Sequence, residues 1–257
     1  MLEEFVNPVG PVRFASVRPL VRYADAHQAV VEVHVSVEQA ADPREPDAAP
    51  ITACTIRTDL EGEDGFHDEQ EASVTLADGQ GMVRLHIVEP QLWWPAALGE
   101  QPMYQLKVSL LIDGELLDQR DSSLGLTSVR CPAPRLSRFI LVNGHEVEIS
   151  HVVPVDLADE RHLLPAAGDS LLLVRGHYGP DVLYHAADRA GILMLQCIPI
   201  HPLAKPAHEV HAHVDRLAAH PSLVGWFVGH LGALADDVAS VLKRLDPTHG
   251  IYRNVAA

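Results

Sequence analysis

Sixteen histidines in 257 residues make metal ligation and proton transfer the first chemistries to weigh. His208, His211 and Asp215 fall at i, i+3 and i+7, on one face of a helix. The string His208-Glu209-Val210-His211 is one residue short of the HExxH spacing that turns two imidazoles onto one zinc ion. The set therefore reads as the polar outer face of an amphipathic helix, and no metal is expected. His177, His201 and His230 form a second set, each following a short apolar run. If those runs are parallel strands, the three imidazoles collect at the strand ends where ligands bind in such folds. Imidazole titrates near neutrality and can serve as a general acid. A Gly-rich phosphate loop, a Gly-x-Ser-x-Gly elbow and a Ser-His-Asp order are all missing from the sequence, and no cofactor is expected.

Charge narrows the partners. Thirty-five acidic against 19 basic residues give a net charge of −16. Phosphate backbones need clustered Lys and Arg, so nucleic acid is excluded as an expectation. Asp59 to Glu71 carries seven carboxylates without a Lys or Arg. It lacks the Asp-x-Asp-x-Asp-Gly spacing of a calcium loop and reads as a solvated loop or sheet edge. Cys54, Cys131 and Cys197 are odd in number and form no CxxC, as expected of reduced thiols in the cytoplasm. No apolar run reaches the roughly 18 residues of a membrane span, and Met1-Leu2-Glu3-Glu4 shows no secretory pattern.

The elements that would position these residues divide the chain in two. Up to residue 130 the signals are those of strands. Val31, Val33, Val35 and Val37 alternate with polar residues, the mark of a half-buried strand. Ala40 to Pro50, with its prolines, reads as a loop. Ser73 to Leu76 and Met82 to Val88 flank Asp78-Gly79. Gln105 to Ile112 and Glu115 to Arg120 flank Asp113-Gly114, the strongest hairpin signal. An antiparallel sandwich over residues 1–130 follows. Cys131 to Ser137 reads as a linker. Beyond it, short apolar runs at Val147–Val152, Leu171–Arg175, Ile192–Ile198, Leu223–Gly229 and Ile251–Val255 alternate with helical patterns. Those helices are a weak one at Asp159–Ala167, then Pro180–Ala190, Glu209–Ala219 and Leu234–Leu245. Such alternation predicts about five parallel strands in an α/β domain over residues 131–257.

Several motifs in register resemble glycoside hydrolase family 2, the β-galactosidase, β-glucuronidase and β-mannosidase group. Pro90-Gln91-Leu92-Trp93-Trp94-Pro95 with Gly99, Pro102, Tyr104 and Leu106, closed by Leu124 to Arg130, is similar to the family's immunoglobulin-like sandwich. Phe139 to Gly144 resembles its F-x-x-N-G barrel entry. Tyr184…Asp188-Arg189-Ala190-Gly191-Ile192-Leu193 and Leu245-Asp246-Pro247-Thr248 resemble later barrel segments. Gln196 stands at the W-Q-D position of the β-mannosidase-like branch, with Cys197 in place of Asp. His220-Pro221-Ser222, Trp226 and Gly229 resemble the fourth barrel strand, which in the family ends Gly-Asn-Glu with Glu as catalytic acid/base. Here His230 and Leu231 occupy those last two positions.

The resemblance implies an immunoglobulin-like β-sandwich followed by a partial (β/α) barrel. It implies a vestigial cleft of Arg175, His177, Tyr178, Gln196, His201, Trp226 and His230, with no catalytic residue because Leu231 cannot carry a proton. The two tryptophans, Trp93 and Trp94, are expected to pack the sandwich or its contact with the barrel rather than stack on a sugar. The family's preceding jelly roll and its later nucleophile strand are expected to be absent. A non-catalytic structural or interaction subunit is the first reading. Half of a split hydrolase and a remnant that weakly binds carbohydrate are the others. An inner sheet face built from residues such as Leu173, Leu193, Leu195 and Trp226, with the side each one faces left open, is expected to need cover from a protein partner or a second copy, or else from the chain's own sandwich.

Overall fold

The computed structural model describes residues 12–39, 52–130, 138–155, 170–199, 206–229 and 232–253, with the backbone alone at 206–208. The Ala40–Pro50 loop, the Cys131–Ser137 linker and the weak helix at Asp159–Ala167 lie outside these residues. So do His201, His230 and Leu231, and the side chain of His208.

Seven strands build the first layer pair. β1 (Val12–Ala24), β2 (Gln28–Gln39) and β5 (Gln80–Val88) form one sheet in the order β1-β2-β5. β3 (Ala53–Glu61), β4 (His67–Thr75), β6 (Tyr104–Ile112) and β7 (Glu115–Leu124) form the other in the order β4-β3-β6-β7. All pairings between these strands are antiparallel. The valines of β2 are buried as their alternation requires, against Ile56, Leu60, Leu85, Leu106 and Leu110 from the neighbouring strands. Each such side chain contributes roughly 1.5–3 kcal/mol on burial. Asp113 and Gly114 both take positive φ, 51° and 84°, as a type I′ hairpin requires. The acidic run is the edge hairpin of β3 and β4.

A short antiparallel unit follows. β8 (Val129–Arg130) pairs with β9 (Phe139–Val142), which pairs with β10 (His145–Glu148) across Asn143-Gly144. Five parallel strands then lie side by side in chain order: β11 (His151–Val155), β12 (Ser170–Val174), β13 (Met194–Cys197), β14 (Leu223–Phe227) and β15 (Gly250–Tyr252). Among the described residues three helices lie between them: α1 (Asp181–Ala190), α2 (Pro206–Leu217) and α3 (Ala233–Leu245). Gly191 closes α1 with φ 64°, a left-handed cap that glycine takes at little cost. The single run expected at Val147–Val152 is divided between β10 and β11.

The parallel sheet buries both faces. Leu172, Val174, Met194, Leu223 and Trp226 meet the helices, together with Leu183, Val210, Val214, Val238 and Leu242. Leu171, Leu193, Leu195, Val224 and Tyr252 face the other way and pack on Trp93, Ile140, Val142 and Ile149. The expected bare inner face is therefore corrected in two respects. Leu193 and Leu195 are covered by the chain's own Trp93 and β9, and Trp226 belongs to the helix side.

Candidate functional site

The C-terminal ends of the parallel strands hold the sequence candidates. Arg175, His177 and Tyr178 follow β12, and Gln196 and Cys197 end β13. Register explains their directions. Val174 pairs with Gln196, and Gln196 with Trp226, so all three share one face of the sheet.

That face is the helix side. Gln196 is fully buried, and all its polar atoms are engaged. Its Oε1 accepts from Gly179 N at 3.1 Å and from the Tyr184 hydroxyl at 2.7 Å. Its Nε2 donates to the carbonyls of His177 at 2.9 Å and Cys197 at 2.6 Å. Gln196 thus clamps the loop after β12 to α1. Arg216 of α2 adds a second clamp, donating to Gly179 O at 2.8 Å. Tyr178 stacks on His213 of α2 with ring centroids 3.6 Å apart. Burial pushes the Tyr178 hydroxyl up to about 12, aided by Glu209 and Cys197. Burial and the neighbouring Arg216 lower His213. Burial raises the Cys197 thiol against the opposing pull of the Gly176 amide and Arg175, so its nucleophilic thiolate is disfavoured.

Trp226 is also fully buried and donates through Nε1 to Asp246 Oδ2 at 2.7 Å. Asp246 accepts further bonds from Thr248 N at 3.1 Å, Thr248 Oγ1 at 2.5 Å and His249 Nδ1 at 2.7 Å. Burial pushes this carboxyl up, but the His249 charge and the bonds from His249, Thr248 and Trp226 outweigh it and hold the pKa well below 3.8. Asp188 of α1 serves the preceding strand in the same way. It takes His220 Nδ1 at 2.6 Å and Ser222 N at 3.1 Å, and thereby seats the start of β14. The structure brings Arg175, His177, Tyr178 and Gln196 into one region. It turns Trp226 and Gln196 inward to structural contacts.

Among the described residues, the segments just beyond β12 to β15 offer Arg175, His177, Tyr178 and Arg253 as their charged or titratable groups and no carboxylate. A carboxyl pair for glycoside hydrolysis is not assembled there. Of the helix set at His208, His211 and Asp215, the side chains of the last two are described. His211 is exposed, and Asp215 is taken by Arg18 of β1 at 2.5 Å. Asp59, His67 and Glu69 bring their ligand atoms within 4.8 Å of one another on the edge hairpin. His67 and Glu69 are exposed and Asp59 is half-buried, and Arg57 lies 3.9 Å from Glu69.

Sequence reasoning placed Trp93 in the sandwich or at its contact with the barrel, and gave no role to Asn143 or Gly125 in joining the two domains. Trp93 Nε1 donates to Asp188 O at 2.8 Å. Asn143 donates through Nδ2 to Trp93 O at 2.9 Å and accepts from Ser128 N at 2.8 Å through Oδ1. A Cβ on Gly125 would lie 2.6 Å from Pro221 Cγ. The signal for Asn143 and Pro221 was present in the N-G and H-P-S strings, as a pattern without a stated task.

A seven-stranded sandwich fastened to a layer of parallel strands and helices defines a class of fold: an immunoglobulin-like sandwich followed by part of a (β/α) barrel. The model of glycosyl hydrolases family 2 matches residues 14–126, the sandwich. An exo-β-D-glucosaminidase of Streptomyces avermitilis is 28% identical over 195 residues, covering 63% of this chain and 21% of that protein. A β-mannosidase A of Aspergillus aculeatus is 26% identical over 224 residues, covering 70% and 23%. A family 2 glycosyl hydrolase from Bacteroides cellulosilyticus superimposes with a TM-score of 0.73 at 21% identity, over 96% of this chain and 37% of that one. The exo-chitosanase of Amycolatopsis orientalis gives 0.74 at 19% identity, over 94% and 32%. The match to family 2 covers residues 14–126, and the chain spans about a fifth of the length of these two curated relatives.

Proposed function

We propose that this chain is a non-catalytic interaction scaffold of family 2. The observation that carries the reading is His230-Leu231, standing where the family's fourth strand ends in Asn and the acid/base Glu. Retaining hydrolysis needs two carboxyl groups about 5–5.5 Å apart, one of which gives and then takes a proton. Leucine does neither. Asp188 bonds to His220 and Ser222 and seats the start of this strand, which supports a formed scaffold around the missing proton donor. Fold ancestry does not carry activity with it.

The interaction role is supported by β11 and β15, each paired on one side only among the described strands. Such edges offer backbone groups to an added strand. A protein partner or a second copy of this chain is the occupant in this reading. Native mass spectrometry at tens of micromolar tests it. A dimer, or a stoichiometric co-purifying protein, is expected. A monomer without a partner contradicts the scaffold role.

A further inference from the structure

A second cavity lies at the opposite end of the parallel sheet from the vestigial cleft. Its volume is about 160 Å³, and its walls include Arg22, Ser128, Arg130, His220, Thr248 and His249. His220 precedes β14 and His249 precedes β15, so this is the N-terminal end of the strands. The sandwich supplies Arg22 from β1. The segment leaving it supplies Ser128, and β8 supplies Arg130. The barrel supplies the other three.

The charge of the wall departs from that of the molecule. In a chain of net charge −16, the described lining holds two guanidiniums, two imidazoles and hydroxyls, without a carboxylate. Arg22 occupies the register shift of β1 between Val21 and Tyr23, where a bulge re-aims a side chain. Its carboxylate contact is weak. Glu32 lies 3.5 Å from Arg22 but 2.6 Å from Arg84 and 3.3 Å from His34. Arg130 is exposed and has no ion-pair partner among the described residues. Each histidine commits Nδ1 to a buried carboxylate, Asp188 or Asp246, which leaves Nε2 as the remaining polar atom of its ring.

Size selects among ligands. Water occupies about 30 Å³ in the liquid, so the cavity has room for roughly five waters. It falls short of the roughly 300–1,000 Å³ of sites for drug-sized molecules. Guanidinium forks match the oxygens of phosphate, and the Ser128 hydroxyl and the ring Nε2 groups are the further donors on the wall. We propose that this junction cavity is a binding site for a small phosphate oxyanion, either inorganic phosphate or the phosphate group of a monoester. The bound anion bridges sandwich and barrel and holds them together.

Equilibrium dialysis with inorganic phosphate, against chloride at matched ionic strength, is the direct test. Saturable binding of one phosphate per chain at millimolar concentration or below is expected, with a rise in melting temperature that saturates over the same range. The Arg22→Gln/Arg130→Gln chain is expected to lose at least tenfold in affinity while keeping its circular dichroism spectrum. Arg130→Gln alone, at an exposed position, is expected to weaken binding and to fold regardless. Competition by glucose 6-phosphate more strongly than by inorganic phosphate assigns a monoester, and the reverse assigns the free ion. Lack of saturable binding, or equal binding by wild type and Arg130→Gln, overturns the proposal.

Discussion

Asp246 shows how a residue of the family pattern serves structure. Its carboxylate is fully buried and holds Trp226, Thr248 and His249 at once. An amide in its place offers one acceptor oxygen, and its nitrogen cannot accept from Trp226 or His249. Asp246→Asn is therefore expected to cost about 3 kcal/mol at neutral pH, the scale of breaking a buried charge pair, measured by urea denaturation. The lowered carboxyl pKa also fixes a sign. Its contribution is fully present above the usual value of 3.8 and is lost as pH falls through the depressed folded value. Stability of the Asn variant is expected to fall less steeply than that of wild type below pH 4. Letters such as Asp188 and Asp246 were readable as pattern, but their tasks were not, because Trp226 is distant in sequence from Asp246, as His220 and Ser222 are from Asp188. The cleft residues Gln196 and Trp226 were misplaced for a related reason. Parallel strands are apolar on both faces, so composition does not tell which side faces the helices. Register does.

At the scale of elements, helices and hairpins were legible where local chemistry speaks. Gly191 closes α1, and Asp113-Gly114 turns β6 into β7, as expected. β1 was missed because Pro19 interrupts it and two register shifts break its period of two. Both features are tolerated because β1 lies at a sheet edge. The division of Val147–Val152 was hidden because β10 and β11 are separated by only two residues. The junction between the domains depends on close approach at Gly125, where an added methyl meets Pro221 and the Trp93 Cβ. Gly125→Ala is expected to destabilise the protein by about 1–3 kcal/mol through overpacking. Its effect is expected to appear first as increased proteolysis between the sandwich and β11. Equal protease resistance and unchanged denaturation would show that the junction yields without cost.

The whole molecule joins a sandwich to five parallel strands through Trp93, Asn143, Asp188 and Arg18. The architecture was legible because strand and helix periods change near residue 131. The cover over the inner sheet face was legible only as the expectation that Trp93 packs the sandwich or its contact with the barrel, since its partners Leu193 and Leu195 are distant in sequence. No described helix is long and apolar enough to cross a membrane. The functional claim is that this scaffold stands without the proton donor of its family. Steady-state release of nitrophenol from the aryl β-mannoside and aryl β-glucosaminide by the purified chain tests it most directly, with His230→Ala alongside. Release at the rate of the protein-free control is expected for both proteins from pH 4 to 9. Saturable turnover that scales with protein concentration in wild type would contradict the claim, and its loss in His230→Ala would identify the imidazole as the substitute acid.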